Sequence, residues 1–200
     1  DDERAQQFAK AIADTLDKYE LDGVFFDDEY SEYNKDLKGQ GYKGFLDNPS
    51  YEAASRLAYE TKKAIGDKWL VLYKYGHYNM AVSVDGKKPG EYVDYVLTDY
   101  NQSAAGMTTQ YPGVKNAQVG CYSVDINGYT NKSNVKKLRT GKYGAFMIYN
   151  LDQTAYDFSY SKVINLEDFG KYLFDDELKV EEALYYKDWT PIEDLREPNR

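Results

Sequence analysis

The chain alternates between amphipathic segments and short apolar runs. Apolar side chains at helical spacing predict helices over residues 2–18 and 50–65, and shorter helices over 133–139 and 166–173. Five short apolar runs predict strands, at residues 21–26, 69–75, 92–98, 119–124 and 144–150. Because a helix or a long loop separates each run from the next, the pattern predicts parallel strands joined by crossover connections.

Two architectures fit this alternation: an open doubly wound sheet, or part of a (β/α)8 barrel. No Gly-x-Gly-x-x-Gly follows a strand, so the dinucleotide-binding fingerprint of many doubly wound folds is absent. Polar and aromatic residues instead follow the carboxyl ends of several strands, where a barrel holds its chemistry. These residues are Asp27, Glu29, Tyr75, Tyr100, Asp125, Asn150 and Asp152. The sequence therefore favours the barrel.

The length of the chain complicates this prediction. A complete barrel needs about 250 residues, whereas this chain has 200 and opens with a helix. Five parallel strands do not close, and an open apolar edge invites aggregation. We therefore expect an α/β fold in which residues 1–190 carry roughly strands 4 to 8 of a TIM barrel. The first three strands would lie on a segment before residue 1, and residues 191–200 would form a charged tail. An open sheet whose edge is covered by the chain's own helices is the alternative.

An acidic run ends the first apolar strand. Side chains alternate along a strand, so Phe25, Asp27 and Glu29 share one face, with both carboxylates at the mouth of the barrel. Two carboxylates this close do not both ionise easily, and one is expected to keep its proton near neutral pH. A glycosidase needs such an acid to protonate a leaving oxygen. A solvated strand end remains open as an alternative. A calcium loop is disfavoured, because calcium ligands are spread through a turn.

Composition excludes several classes of function. The net charge is −9 with no basic stripe, which disfavours nucleic acid as a partner. No apolar run approaches the roughly 20 residues of a membrane span. The lone cysteine, Cys121, sits in an apolar run and is expected to be a buried, unreactive thiol; together with the lone His77 it offers too few ligands for zinc. The 22 tyrosines suit sugar rings as well as protein partners.

Residues 21–30 resemble the signature of family-eighteen glycoside hydrolases, Asp-Gly-x-Asp-x-Asp-x-Glu at the end of the fourth barrel strand. The segment is similar to that of the bacterial endo-β-N-acetylglucosaminidases of the F and H type, in which Leu-Asp-Gly-Val and Asp-Asp-Glu-Tyr also flank the site. The similarity extends to 53–62, to 92–100 as the sixth strand and to 144–152 as the eighth. Phe25 replaces the first inward Asp of the chitinase-type motif, which puts a chitinase-like proton relay in doubt; the F-type subfamily tolerates this Phe.

The resemblance implies an endoglycosidase that hydrolyses the GlcNAc-β1,4-GlcNAc bond of N-glycan cores, of the high-mannose type, with retention and substrate assistance. Glu29 would protonate the glycosidic oxygen, Asp27 would hold the acetamido N–H and stabilise the oxazolinium ion, and Tyr100 would bind the acetamido carbonyl. No cofactor or metal is called for. Further substrate contacts are expected from Thr98, Tyr30, Tyr33, Tyr75, Asn150 and Asp152.

Two other functions stay open at this point. A chitinase-like member of the same family is disfavoured by Phe25, and a non-catalytic glycan-binding barrel is disfavoured by the presence of Glu29. The expected partners are an N-glycan or glycoprotein substrate and the missing amino-terminal segment of the barrel. Because glycan degradation takes place outside the cytoplasm, the expected location is secreted, periplasmic or on the bacterial cell surface.

Overall fold

The computed structural model describes residues 2–28, 51–74, 82–129, 131–150 and 160–179, with side chains from 164 onward in the last range. The helices are α1 (Asp2–Lys18), α2 (Tyr51–Ile65), α3 (Met107–Gln110), α4 (Lys132–Thr140) and α5 (Tyr160–Phe169). The strands are β1 (Gly23–Phe26), β2 (Trp69–Lys74), β3 (Tyr95–Thr98), β4 (Val119–Gly120), β5 (Val124–Asp125) and β6 (Ile148–Tyr149). Short 3-10 turns cover Pro89–Glu91 and Asn116–Gln118, and a π-helical turn, Gly170–Phe174, follows α5.

The two longest helices bury small side chains. Helix α1 buries Ala5, Ala9 and Leu16, and α2 buries Ala54 and Ala58. The two helices pack along each other, and small side chains such as alanine allow packed helices to approach closely. Both helices were predicted from sequence to within one residue. None of the described helices is both long and apolar enough to cross a bilayer.

The strands are parallel, as predicted, and within each of two sheets they are neighbours in chain order. Strands β1, β2, β3 and β4 are successive neighbours, and β5 and β6 form a second parallel pair. A parallel bridge between Gly120 and Ala145 connects the two groups. Within the described ranges, β1 pairs only with β2, and β6 only with β5. Chain-order pairing is the arrangement that consecutive strands of a (β/α)8 barrel adopt.

One face of the sheet is covered by helices. Phe26, Leu72, Val96 and Val119 stand side by side across the first four strands. They pack with Leu16 of α1 in the main hydrophobic core. Leu72, Val96 and Val119 are the fully buried aliphatic members of this row, and each stabilises the fold by about 1.5–3 kcal/mol. Phe26 therefore lies on the helix-covered face, opposite to Phe25.

The opposite face carries Phe25, Val71 and Tyr95 in register, followed by Tyr73 beside Leu97. Among the described residues, little covers its β1 side: Phe25 is 43% exposed and Trp69 is 56% exposed. In a barrel, this face would point to the interior.

The structure corrects the predicted strand at 119–124. Tyr122 adopts a left-handed conformation, with φ of 58°, which interrupts the ladder and divides the run into β4 and β5. The run 92–98 forms a strand only from Tyr95, because Tyr92 and Val93 bond back to Pro89 in the preceding turn. A second core beyond the break joins Val124, Ile126, Val135 and Phe169.

Candidate active site

Asp27 follows β1 directly at the carboxyl edge of the sheet and is exposed to solvent. Two residues earlier, the Phe25 ring packs on Tyr73 with 6.2 Å between ring centroids. Glu29, the predicted acid, lies outside the described residues. So do four predicted substrate contacts: Tyr30, Tyr33, Tyr75 and Asp152.

A hydrogen-bonded chain of side chains connects β6, β2 and the residue that follows β3 at this edge. The Tyr149 hydroxyl donates to the Tyr73 hydroxyl at 2.9 Å, and the Tyr73 hydroxyl donates to Oδ1 of Asp99 at 2.5 Å. We call these three residues, in this order, the Tyr–Tyr–Asp chain. Burial, followed by the hydrogen bonds to Asp99 and Tyr149, raises the pKa of Tyr73 far above its ordinary value. Tyr73 therefore remains a hydrogen-bond donor throughout the physiological pH range.

Tyr100 is held at both its backbone and its ring. Its N–H donates to Oδ1 of Asp99 at 2.6 Å, and its ring lies on the Tyr149 ring with 5.7 Å between centroids. Its hydroxyl accepts a hydrogen bond from the backbone N–H of Asp125 at 3.2 Å. With 41% of its surface exposed, Tyr100 is fixed in place and accessible to a ligand.

Asn150 joins the same group of residues. Its side-chain amide donates to Oδ2 of Asp125, whose Oδ1 accepts the backbone N–H of Asn127 at 2.7 Å. The backbone of Asn150 is left-handed, with φ of 59°, a conformation that asparagine tolerates better than most residues. Since Asp125 also contacts Tyr100, the structure brings two predicted site residues, Tyr100 and Asn150, together.

Thr98 occupies a different position from these residues. It is 2% exposed, and its hydroxyl lies 3.0 Å from the backbone carbonyl of Gln102 and 3.3 Å from that of Asp99. The side chain thus helps to fold the loop after β3. It also lines a cleft of about 330 Å³ with Lys74, Asp99, Gln102, Ser103, Ala105 and Met107.

Two other predictions concern thiol and metal chemistry. Cys121 is fully buried, as predicted, and burial raises its pKa to about 11. Among the residues that the structure describes, no group of three or more His, Cys, Asp or Glu side chains is placed to hold a metal ion.

Comparisons with known proteins point to one kind of enzyme. The chain is 38% identical over 189 residues to endo-β-N-acetylglucosaminidase F1 of Elizabethkingia meningoseptica, covering 93% of this chain and 54% of that protein. It is 27% identical over 166 residues to an endo-β-N-acetylglucosaminidase of Flavobacterium sp. strain SK1022, covering 80% and 50%. The chain is therefore similar to enzymes of the kind that residues 21–30 resemble, and it spans about half the length of these relatives.

The structure is also similar to crystal structures of Bacteroides thetaiotamicron EndoBT-3987. One, with a Man5GlcNAc product, matches at a TM-score of 0.69 and 30% identity over 88% of this chain and 40% of that one. The other, in complex with a Man9GlcNAc2Asn substrate, matches at 0.68 and 30% identity over 88% and 43%. A scan against models of protein families gives no match.

Sequence reasoning missed the Tyr–Tyr–Asp chain. Tyr73 and Asp99 each occupy an alternate position on the same face as Phe25, so strand parity alone could have placed them at the mouth. Tyr149 has no such local signal, because its partner Tyr73 lies 76 residues away in the chain.

Proposed function

We propose that this chain forms the carboxyl-side part of the catalytic barrel of a family-eighteen endo-β-N-acetylglucosaminidase that cleaves N-glycan cores. The main observation that supports this proposal is the 38% identity to endo-β-N-acetylglucosaminidase F1, which extends over 93% of the chain. The geometry supports the proposal, because Asp27 and Tyr100 both emerge, exposed, at the carboxyl edge of parallel strands.

The reaction begins with the substrate's own acetamido group. Glu29 donates its proton to the glycosidic oxygen while the acetamido oxygen bonds to the anomeric carbon, and the bond to the leaving sugar breaks. Asp27 accepts the acetamido N–H and stabilises the positive charge of the oxazolinium ion, and the Tyr100 hydroxyl donates to the acetamido group. Glu29, now ionised, takes a proton from water as that water attacks the anomeric carbon. The acetamido group is restored, and configuration is retained.

The remainder of the barrel is supplied by a preceding segment. On this proposal, β1 is the fourth strand and β6 belongs to the eighth. The exposed inner face at Phe25 and Trp69 is then the surface that the first three strands cover. The half-length match to the relatives supports this assignment.

The proposed substrate is a high-mannose N-glycan on a glycoprotein. A chain with 30% identity to this one has been crystallised with Man9GlcNAc2Asn. Asn150 and the loop residues Tyr30, Tyr33, Tyr75 and Asp152 are the proposed sugar contacts beyond the reacting pair, with Thr98 acting behind Tyr100. An enzyme for such substrates acts outside the cytoplasm, so we propose secretion or display at the cell surface.

Mass spectrometry of a high-mannose glycoprotein tests the function. Incubation with the protein, expressed together with any coding region upstream of residue 1, should leave one N-acetylglucosamine on each glycosylated asparagine. Glu29→Gln should abolish most of this activity, while Glu52→Gln, an exposed change in the first turn of α2, should not. Cleavage of chitin but not of the glycoprotein would favour the chitinase-like alternative. Tight glycan binding without cleavage would favour a non-catalytic barrel.

A further inference from the structure

We propose that the Tyr–Tyr–Asp chain positions Tyr100 and the strand that precedes Asp27 for the reaction, with Tyr73 as its central residue and Asp99 as its terminal acceptor. This role rests on the proposed function. None of the three side chains needs to touch substrate, so Tyr73, Asp99 and Tyr149 are positioning residues rather than catalytic ones.

Asp99 provides one acceptor for two donors. Oδ1 of Asp99 accepts the Tyr73 hydroxyl at 2.5 Å and the Tyr100 N–H at 2.6 Å. One carboxylate oxygen therefore links the buried Tyr73 hydroxyl on β2 to the backbone of Tyr100, the residue proposed to contact the substrate. Immediately afterwards, Asn101 takes a left-handed φ of 56° and its N–H bonds to the Ser123 carbonyl at 3.0 Å, so the backbone is fixed on both sides of Tyr100.

The rings of the two tyrosines contact the two sides of the site. The Tyr149 ring lies at 50° to the Tyr100 ring, and its hydroxyl donates to Tyr73. The Tyr73 ring packs on Phe25, two residues before Asp27. The same hydrogen-bonded unit therefore contacts both sides of the site that would hold the acetamido group.

The side chains at these positions differ from those of a usual barrel interior. The interior of a (β/α)8 barrel is usually filled with branched aliphatic residues. Such side chains form no hydrogen bonds with water, so they lose none when they are buried. Tyr73 is only 5% exposed, and its hydroxyl is tolerated there because Asp99 and Tyr149 bond to it. Directional hydrogen bonds fix the orientation of an aromatic ring. Packing among aliphatic side chains constrains mainly the space that the ring fills. A polar chain at this point is suited to orientation more than to filling space.

Steady-state kinetics on dansylated Man9GlcNAc2Asn test the proposal with Tyr73→Phe, Tyr149→Phe and Asp99→Leu. Each phenylalanine keeps the ring and removes one hydroxyl. We expect kcat to fall by about 10- to 100-fold, the scale of a small misplacement of reacting groups, while KM changes less than about twofold because the mannose contacts remain. The double variant Tyr73→Phe/Tyr149→Phe should be no more than about twofold slower than Tyr73→Phe, since the two hydroxyls act as one unit.

Two further variants separate positioning from simple stability. Asp99→Asn keeps an acceptor oxygen for both donors and should retain several-fold more kcat than Asp99→Leu. Tyr92→Phe removes another buried phenol, packed on Tyr59 within the helix-covered core, and should leave kcat unchanged. Circular dichroism supplies the folded fraction for each variant.

The outcomes are distinct. A wild-type protein that cleaves the glycan, together with Tyr73→Phe and Tyr149→Phe variants whose kcat per folded molecule stays within about twofold of wild type, overturns the positioning role alone. The same holds if kcat falls equally in Tyr92→Phe. A folded wild-type protein that leaves every glycan intact overturns the proposed function and this role together.

Discussion

The buried amide of Asn165 offers a sharp test of the structure. Asn165 lies on α5 and is 3% exposed; its side-chain nitrogen donates to the backbone carbonyl of Ile126 at 2.6 Å and to that of Gly128 at 3.0 Å. The turn that it holds follows β5, and a Cβ on Gly128 would stand 3.3 Å from the Tyr100 hydroxyl. Asn165→Asp keeps the size of the side chain, so no cavity forms, but it replaces the donor with a carboxylate oxygen.

The expected magnitude follows from the two lost bonds. Each neutral hydrogen bond contributes about 1 kcal/mol net, and a buried polar group left without a partner costs about 1–3 kcal/mol more. We therefore expect Asn165→Asp to lower the free energy of unfolding by about 3–5 kcal/mol at pH 7. Gln6→Glu makes the same change of charge on the exposed face of α1 and should cost less than about 0.5 kcal/mol.

The loss should depend on pH in a defined direction. Burial raises the pKa of the new carboxyl in the folded state, and the protonated form can donate to one of the two carbonyls. The variant is then most stable below about pH 4, the pKa of an aspartate in an unfolded chain. It loses stability as the pH rises through the folded-state pKa. Urea unfolding at pH 4 and pH 7, each against wild type, measures this difference. A loss under about 1 kcal/mol at pH 7, or a larger loss at pH 4, would refute the assigned bonds.

Three further predictions concern the core and its packing. Leu72→Ala, at a fully buried position between β1 and β3, should lower the free energy of unfolding by about 2–5 kcal/mol in a urea titration; a change under 1 kcal/mol would contradict its burial. Gly144→Ala places a Cβ 1.9 Å from the Ala117 carbonyl oxygen and should lower the free energy of unfolding by about 1–3 kcal/mol. An unchanged melting temperature would contradict the close contact between Gly144 and Ala117. Cys121, with a raised pKa of about 11 and no exposed surface, should react with a thiol reagent at pH 8 only in denaturant, and rapid labelling of the native protein would contradict its placement.

Local patterns in the sequence predict much of the fold. The 3.6-residue spacing of apolar side chains predicts where α1 begins and ends, and the alternation along β1 places Phe26 and Phe25 on opposite faces of the strand. The break at Tyr122 has no such signal, since neither glycine nor asparagine marks its left-handed backbone. Only tertiary contacts, such as its N–H bonded to the Gln102 carbonyl at 2.8 Å, hold that conformation.

The candidate site was predictable to a similar degree. Asp27 and Tyr100 are placed at the carboxyl edge by the strand pattern alone. The environment of Tyr100 depends on Asp125 and Tyr149, which come from strands later in the chain. The face on which Thr98 lies could also have been predicted from sequence. Its side chain points to the side opposite to that of Leu97, which is the side of the buried Val96 two residues earlier.

Pairing in chain order also affects how the protein is made. Gly23 pairs with Trp69 and Val124 pairs with Ile148, so no described strand can find its neighbour through a tight hairpin. During synthesis, β1 cannot pair until α2 and β2 have left the ribosome. Until then its backbone groups have no partner strand and the Phe26 ring stays exposed. Loop closure over such separations is slow, and edges left open in the interval are prone to aggregate. Yield in a cell should therefore rise with slower translation or with added chaperone.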